Sequence, residues 1–355
     1  WSDSVRRSVL LDAKADLLIF GMGERPVWEV AKRLREAEPV RALHDVRGTA
    51  HALRKGEWED LPRSAHVTDG KPLFLPSYEE VSRDRAAFAE MSRAFQYETN
   101  PGNARPLVQP HGDEAVYFNP PAFALETADM DALYDLPFAR APHFRYDAPV
   151  PAWETVKHSV VTMRGCFGGC TFCSITEHEG RVISSRSAES VLREIRALRR
   201  MDDFRGVVTD LGGPTANMYQ MSCKDEKIER ACRRLSCVHP GICENLDTDH
   251  GPLIELMKRV READGVKRVY IASGVRYDLA ERSPEFVADL AKHHTGGQLS
   301  VAPEHSNKDV LDKMKKPGIE SYERFVEQFQ CASERAGREQ SRAADCSAGQ
   351  PGTTR

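Results

Sequence analysis

The sequence predicts an α/β protein: a doubly wound βα region over residues 1–152, a partial TIM-type barrel over 153–334, and a disordered tail over 335–355. Three observations carry this. A strand, a glycine turn and a helix follow one another near the start. From His158 onward, short apolar strands alternate with helical stripes, as a parallel sheet with crossover helices requires. The first of these later strands runs into a loop with three closely spaced cysteines, and chemistry at strand C-terminal ends is the barrel pattern.

In the first region, Ala15-Asp-Leu-Leu-Ile-Phe20 reads as a buried strand, residues 21–26 (Gly-Met-Gly-Glu-Arg-Pro) as a turn, and 27–38 as a helix by apolar spacing. Pro26 stands where a dinucleotide fingerprint needs its third glycine, and no acidic partner follows, so a tight structural turn is expected. Residues 100–152 hold Pro101, Pro106, Pro110, Pro120, Pro121, Pro137, Pro142, Pro149 and Pro151 and read as an extended surface linker.

In the second region the expected strands cover 158–163, 206–211, 267–273 and 298–302. Ser187 caps a helix whose stripe is Val191, Ile195 and Leu198. Further helices are expected over 253–263, from Ser283-Pro284 to Lys292, and over 307–315. After Arg335 the chain is rich in Arg, Ala, Ser, Gly and Gln, with no strand run, hence the disordered tail.

The composition is ordinary for a folded domain, with 40% hydrophobic and 29% charged residues, enough for about two domains. The longest apolar stretch, residues 17–20, is strand-sized and no membrane span is expected. The net charge of −4 argues against a whole-protein footprint for nucleic acid, and a local basic groove stays open. No signal peptide is visible, and a chain that begins at Trp1 rather than Met reads as part of a longer protein. Seven of nine cysteines fall between 166 and 243, a clustering that points to metal and a reducing cytoplasm rather than disulfides.

The chemistry is read from Cys166, Cys170 and Cys173, in Met163-Arg-Gly-Cys-Phe-Gly-Gly-Cys-Thr-Phe-Cys173. Three thiolates in a glycine-bearing loop can wrap one face of a cubane iron–sulfur cluster. A four-iron cluster that only carries electrons takes four protein ligands. Three leave one iron open to a chelating ligand. Structural zinc sites usually pair one C-x2-C with another, a pattern that C-x3-C-x2-C fits poorly.

The triplet, with Phe172 before its last cysteine, resembles the cluster loop of radical S-adenosylmethionine (SAM) enzymes. Residues 210–217 (Asp-Leu-Gly-Gly-Pro-Thr-Ala-Asn), 271–278, 302–305 and 6–16 extend the likeness to the YgiQ-type radical SAM proteins over about residues 1–337. The resemblance implies a [4Fe–4S] cluster whose open iron is chelated by SAM, reductive cleavage to methionine and a 5′-deoxyadenosyl radical, and an electron donor such as a flavodoxin or ferredoxin. It implies no substrate. The Gly-x-Gly-Glu turn at residue 21 resembles the end of the cobalamin-binding-like domain that precedes many such barrels. The histidine motif that would ligate cobalamin is not found, so a fold is implied and not that cofactor. The family's members are longer than this chain.

Gly212 and Gly213 match the superfamily's glycine-rich loop, whose backbone contacts SAM, and glycine lets a backbone approach a ligand. Ser273 and Arg276, at the end of a later strand, could hold the SAM carboxylate or ribose, since a guanidinium forks onto a carboxylate. The other reading is an ion pair between Arg276 and Asp278. Glu304 and His305 close the next strand, placed to bind substrate or SAM or to transfer a proton, or to pair within their loop. Cys223, Cys232, Cys237 and Cys243 form a second group that could hold zinc or a second iron–sulfur cluster, or be plain thiols. The alternative function is a non-catalytic iron–sulfur or zinc protein in electron transfer or redox sensing.

Overall fold

The computed structural model describes residues 3–66 and 69–338, and the backbone of 341–344. The chain forms two compact units. The first runs up to Ala124 and adds Ser174–Val182 and Asp225–Leu235. The second comprises Leu125–Cys173, Ile183–Lys224 and the chain from Ser236 onward.

The sheet of the first unit contains β1 (Leu18–Ile19), β2 (Thr49–Leu53), β3 (Leu73–Phe74), β4 (Leu107–His111) and β5 (Glu114–Phe118), in the order β1-β2-β5-β4-β3. The expected α/β character holds, while the strand directions are mixed. The β1–β2, β2–β5 and β4–β5 pairs are antiparallel and β3–β4 is parallel, where a doubly wound sheet would be parallel throughout. The reason is local. β4 and β5 are joined by a two-residue turn that begins with Gly112 at φ +67°, and so short a turn returns the chain antiparallel. This hairpin also corrects the expected linker over 100–152. Pro110 is accommodated in β4 because β3 pairs only with Leu107 and Val108, leaving the edge beyond them open.

The first long helix is Glu24–Arg35, three residues earlier at each end than the pattern predicts. Pro26 lies in its first turn, where an N–H would lack an intrahelical partner anyway. The chain leaves the helix through Ala37, at φ +64°. An apolar cavity of about 300 Å³ in this unit is lined by Phe20, Gly21, Met22, Phe95, Phe118 and Phe123, among others. The glycine turn thus borders aromatic rings, a poor setting for a phosphate.

The second unit contains β6 (Ser159–Val161), β7 (Met163–Arg164), β8 (Ser184–Ser185), β9 (Val207–Val208), β10 (Asp210–Gly212), β11 (Arg268–Val269), β12 (Gln298–Val301) and β13 (Ser341–Ala344). β6–β10, β9–β11 and β12–β13 are parallel pairs, and β7–β8 is antiparallel. Residues 207–212 are therefore central, flanked by β6 on one side and β11 on the other. Between them run helices Ala188–Leu198, Gly251–Arg261 and Pro284–Asp289, with Ile319–Arg335 toward the end. The predicted stripe is fully buried at Val191, Ile195 and Leu198, against Val160, Val208 and Leu211 of the strands. Ser187 caps that helix by accepting from Ser190 N at 3.1 Å. The buried Arg186 joins these layers. It donates to Val161 O at 2.8 Å and to Ser190 O at 3.0 Å, pairs with Glu194, and lies 4.1 Å above the Tyr134 ring.

The backbone of β13 pairs with β12 from Gln298↔Ser341 to Val301↔Ala344, so these four residues of the expected disordered tail form a strand. The edge of β12 offers backbone donors and acceptors, and a ladder on such an edge does not require an apolar side-chain pattern. The rest of the tail beyond Arg338, with Cys346, lies outside the described residues.

Candidate functional site

The cysteine loop leaves β7 and is fixed by its backbone. Gly168 O accepts from Ser236 Oγ at 2.6 Å, and Phe167 O accepts from Cys237 N at 3.0 Å. Thr171 donates through N to Met314 O at 3.1 Å and through Oγ1 to Lys313 O at 2.8 Å. Phe167 is buried in the core, while Phe172 is 55% exposed. Gly168 is required at its position. A Cβ there would lie 3.2 Å from Cys166 Sγ, 3.8 Å from Cys170 Sγ and 2.9 Å from Arg276 Nη1. Two of the three sulfurs and a guanidinium therefore border the space that the missing side chain leaves.

Burial pushes the Cys166 thiol pKa up, opposed by the Gly168 N–H that donates to its Sγ at 3.4 Å, by the Arg276 charge and by Thr215. Arg276 is itself buried. Desolvation works against its charge, but the carboxylate of Asp278 and the sulfurs of Cys170 and Cys166 outweigh it and hold the guanidinium protonated. Its Nε and Nη2 donate to the two Asp278 oxygens at 2.9 and 2.8 Å. Sequence reading left Arg276 between a ligand contact and this ion pair. The geometry commits one fork to Asp278 and turns Nη1 toward the cysteine loop.

Arg276 is held by Asn217, the last residue of the 210–217 segment, which in turn meets His250, a residue the sequence reading did not single out. Asn217 accepts from Arg276 N at 2.8 Å and donates to Arg276 O at 3.0 Å. Asn217 Nδ2 also lies 3.2 Å from His250 Nε2, so that nitrogen accepts, and Nδ1–H donates to Thr248 O at 3.1 Å. Burial pushes the His250 pKa down to about 4, so the imidazole is neutral. An isolated polar residue such as His250 carries no spacing signal. Only its burial inside an apolar core, which the sequence does not display, marks it.

The glycine pair serves strand packing as well as backbone exposure. A Cβ on Gly212 would come 2.3 Å from Ser273 Oγ, and one on Gly213 2.5 Å from Met163 Sδ. On the side a Cβ would occupy, the bare Cα atoms face protein rather than open space. Ser273 is likewise engaged: its hydroxyl donates to Asp210, whose Oδ1 also accepts from Ala272 N at 2.8 Å and Ser273 N at 3.0 Å. Beyond β12, Glu304 sits at φ +68° and pairs with Lys316 at 3.6 Å. His305 Nδ1 accepts from Asn307 N at 2.8 Å, which leaves the proton on Nε2. His305 thus makes a within-loop contact, while the partner of Glu304 lies beyond the next helix, Lys308–Met314.

The second cysteine group is divided. Cys223 bridges to Leu246, and Cys243 N donates to Cys237 O at 2.8 Å, all within the second unit. Cys232 belongs to the first, where its carbonyl accepts from Asn100 at 2.9 Å and Asn103 at 3.1 Å. Among the described residues no three His, Cys, Asp or Glu are grouped to hold one metal ion, which speaks against zinc among the readings of this group. Four ligands of one zinc must converge on a point, whereas Cys237 and Cys243 pack against the hydrophobic core. The cluster triplet needs no such convergence, because each thiolate of a cubane ligates its own iron. What the 236–246 segment does is brace the cluster loop.

Residues 1–159 match the family model described as Radical SAM N-terminal, and residues 160–338 match the Radical SAM superfamily model. The chain belongs to the radical SAM superfamily, whose members use a [4Fe–4S] cluster and SAM. Within it, the chain is similar to UPF0313 proteins: it is 53% identical over 366 residues to UPF0313 protein blr7973 of Bradyrhizobium diazoefficiens, covering 100% of this chain and 54% of that protein. It is 47% identical over 387 residues to UPF0313 protein YgiQ of Escherichia coli, covering 96% of this chain and 52% of that protein. The chain thus spans about half the length of the curated relatives it matches. Among solved structures, the cobalamin-dependent radical SAM enzyme OxsB with aqua-cobalamin bound aligns at TM-score 0.48 and 11% identity, over 94% of this chain and 34% of that one. The radical SAM methyltransferase TsrM from Kitasatospora setae, with cobalamin and a [4Fe–4S] cluster bound, aligns at 0.43 and 14%, over 91% and 45%.

Proposed function

We propose that this chain is the cluster-bearing core of a YgiQ-type radical SAM enzyme. The observation that supports it best is the cradle at Gly168, where the Cys166 and Cys170 sulfurs and the Arg276 guanidinium meet with no side chain between them. When bound, the [4Fe–4S] cluster supplies the electron that splits SAM into methionine and a 5′-deoxyadenosyl radical, which abstracts a hydrogen atom. Cys166, Cys170 and Cys173 hold it as thiolates, and the Arg276 charge favours the thiolate form of Cys166. Gly212 and Gly213 bring backbone to the SAM pocket, and the exposed Phe172 gives it an apolar wall. Ser273 positions the adjoining strand end through Asp210. Glu304 and His305, at the end of β12, are the groups in this reading that bind substrate or move a proton. A flavodoxin or ferredoxin serves as reductant in a reducing cytoplasm. Among the described residues no helix is long and apolar enough to cross a membrane.

The test is anaerobic reconstitution with iron and sulfide, followed by dithionite and SAM. The expected result is 5′-deoxyadenosine, with brown cluster absorption that Cys170→Ala abolishes while the circular dichroism stays native. Full iron content and activity in Cys170→Ala would refute the ligand assignment. An intact cluster with bound SAM and no 5′-deoxyadenosine would move the protein to electron transfer or redox sensing.

A further inference from the structure

Tyr277 stands out in the second unit. Its side chain is buried, yet its hydroxyl has no hydrogen-bond partner among the described residues. A buried tyrosine ordinarily finds one, and in this same unit the equally buried Tyr219 does, donating to Arg186 O at 2.8 Å and accepting from Gln220 Nε2 at 3.1 Å. The packing around Tyr277 fixes the ring instead. It lies edge-on to Tyr322 at 5.5 Å and opens the short helix Tyr277–Ala280 immediately after Arg276.

Tyr277 directly follows Arg276, whose Nη1 is turned to the Gly168 cradle, and the charge of a cysteine-loop residue reaches its hydroxyl. Burial first, then the charges of Asp278, Cys170 and Glu304, hold the phenol protonated, with Arg276 opposing. Cys170 is a cluster ligand in the reading above, Glu304 closes β12, and Arg276 turns Nη1 to the Gly168 cradle. The O–H is therefore a buried, desolvated donor within electrostatic reach of Cys170 and Glu304. Leaving such a donor unpaired costs folding free energy, and a ligand acceptor arriving there removes that cost.

Resting on the proposed function, we infer that Tyr277 is a ligand-binding residue whose hydroxyl donates a hydrogen bond to an acceptor atom of SAM bound at the cluster loop. SAM carries several such acceptors in its carboxylate, ribose and adenine. Phenylalanine is the discriminating substitution, because it keeps the ring against Tyr322 and deletes only the donor.

The experiment compares wild type and Tyr277→Phe in two readouts. Thermal melting of the SAM-free protein should be unchanged or raised in Tyr277→Phe, since no protein hydrogen bond is lost. Equilibrium dialysis of reconstituted protein with radiolabelled SAM should show affinity about tenfold weaker, the effect of leaving a ligand acceptor unpaired. A lower melting temperature with unchanged SAM affinity would overturn the inference, showing that the hydroxyl serves the fold. A wild type that binds SAM without cleaving it refutes the proposed reaction while the affinity comparison still decides Tyr277. A wild type that binds no SAM overturns both.

Discussion

Lowering the pH from neutral to about 4.5 should destabilise the protein by about 2.4 kcal/mol through His250 alone. The imidazole is buried, tilted against Phe286 with ring centroids 4.6 Å apart, and its Nε2 must stay unprotonated to accept from Asn217. Its folded pKa is about 4 against an ordinary 6.5, with burial as the main cause and the Thr248 carbonyl and Asp249 pulling the other way. Between these values the unfolded chain takes up a proton that the folded chain refuses. Stability is therefore full above 6.5, falls as pH drops, and levels off below 4, where the loss reaches about 3 kcal/mol at 1.36 kcal/mol per pKa unit. The assay is urea unfolding followed by circular dichroism at several pH values, in wild type and His250→Gln. Glutamine can accept from Asn217 but does not titrate, so the variant should lose less stability on acidification by about 2 kcal/mol. His51, also depressed to about 4 by burial, titrates in both proteins and cancels in the difference. Parallel pH profiles for the two proteins would refute the reasoning.

Gly212→Ala should lower stability by about 1–3 kcal/mol, since its Cβ overlaps Ser273 Oγ and lies 2.8 Å from Ser273 Cβ. Pairing it with Ser273→Gly should recover part of that loss in the same thermal melt, which independent effects would not. Arg186→Ala should cost about 1–3 kcal/mol by leaving the Val161 and Ser190 carbonyls without their buried donor, while Glu194 keeps its pair with Arg140, read as a shift in the urea midpoint. Metal analysis of Cys166→Ala should find no stoichiometric zinc, because among the described residues the second cysteine group does not gather three ligands around one point. One equivalent of zinc would restore the single-metal site, and residual iron would indicate a second cluster.

Much of the second unit was legible because its signals are local. The Val191, Ile195 and Leu198 stripe needs only helical periodicity, and Ser187 needs only a hydroxyl before the first turn. The cysteine triplet is legible for the same reason, since ligands of one cluster carried on one loop are close in sequence. The first unit was less so. Periodicity marks strands but does not fix their direction, and the Gly112 turn that sets β4 against β5 lay inside a stretch whose prolines masked both strands. β13 pairs through its backbone, which leaves no side-chain pattern to read.

The sequence by itself determined the class of protein, the close-set cysteine triplet and the order of the barrel elements, because each depends on residues a few positions apart. Only the tertiary structure decided what surrounds them. It assigned Cys232 to the first unit and Cys223, Cys237 and Cys243 to the second, filled the open sides of Gly212 and Gly213 with Ser273 and Met163, and bound Arg276 between Asp278 and Asn217. Such contacts join segments tens of residues apart through burial and hydrogen bonding, and a residue's type and spacing do not encode which distant group will face it when the core closes.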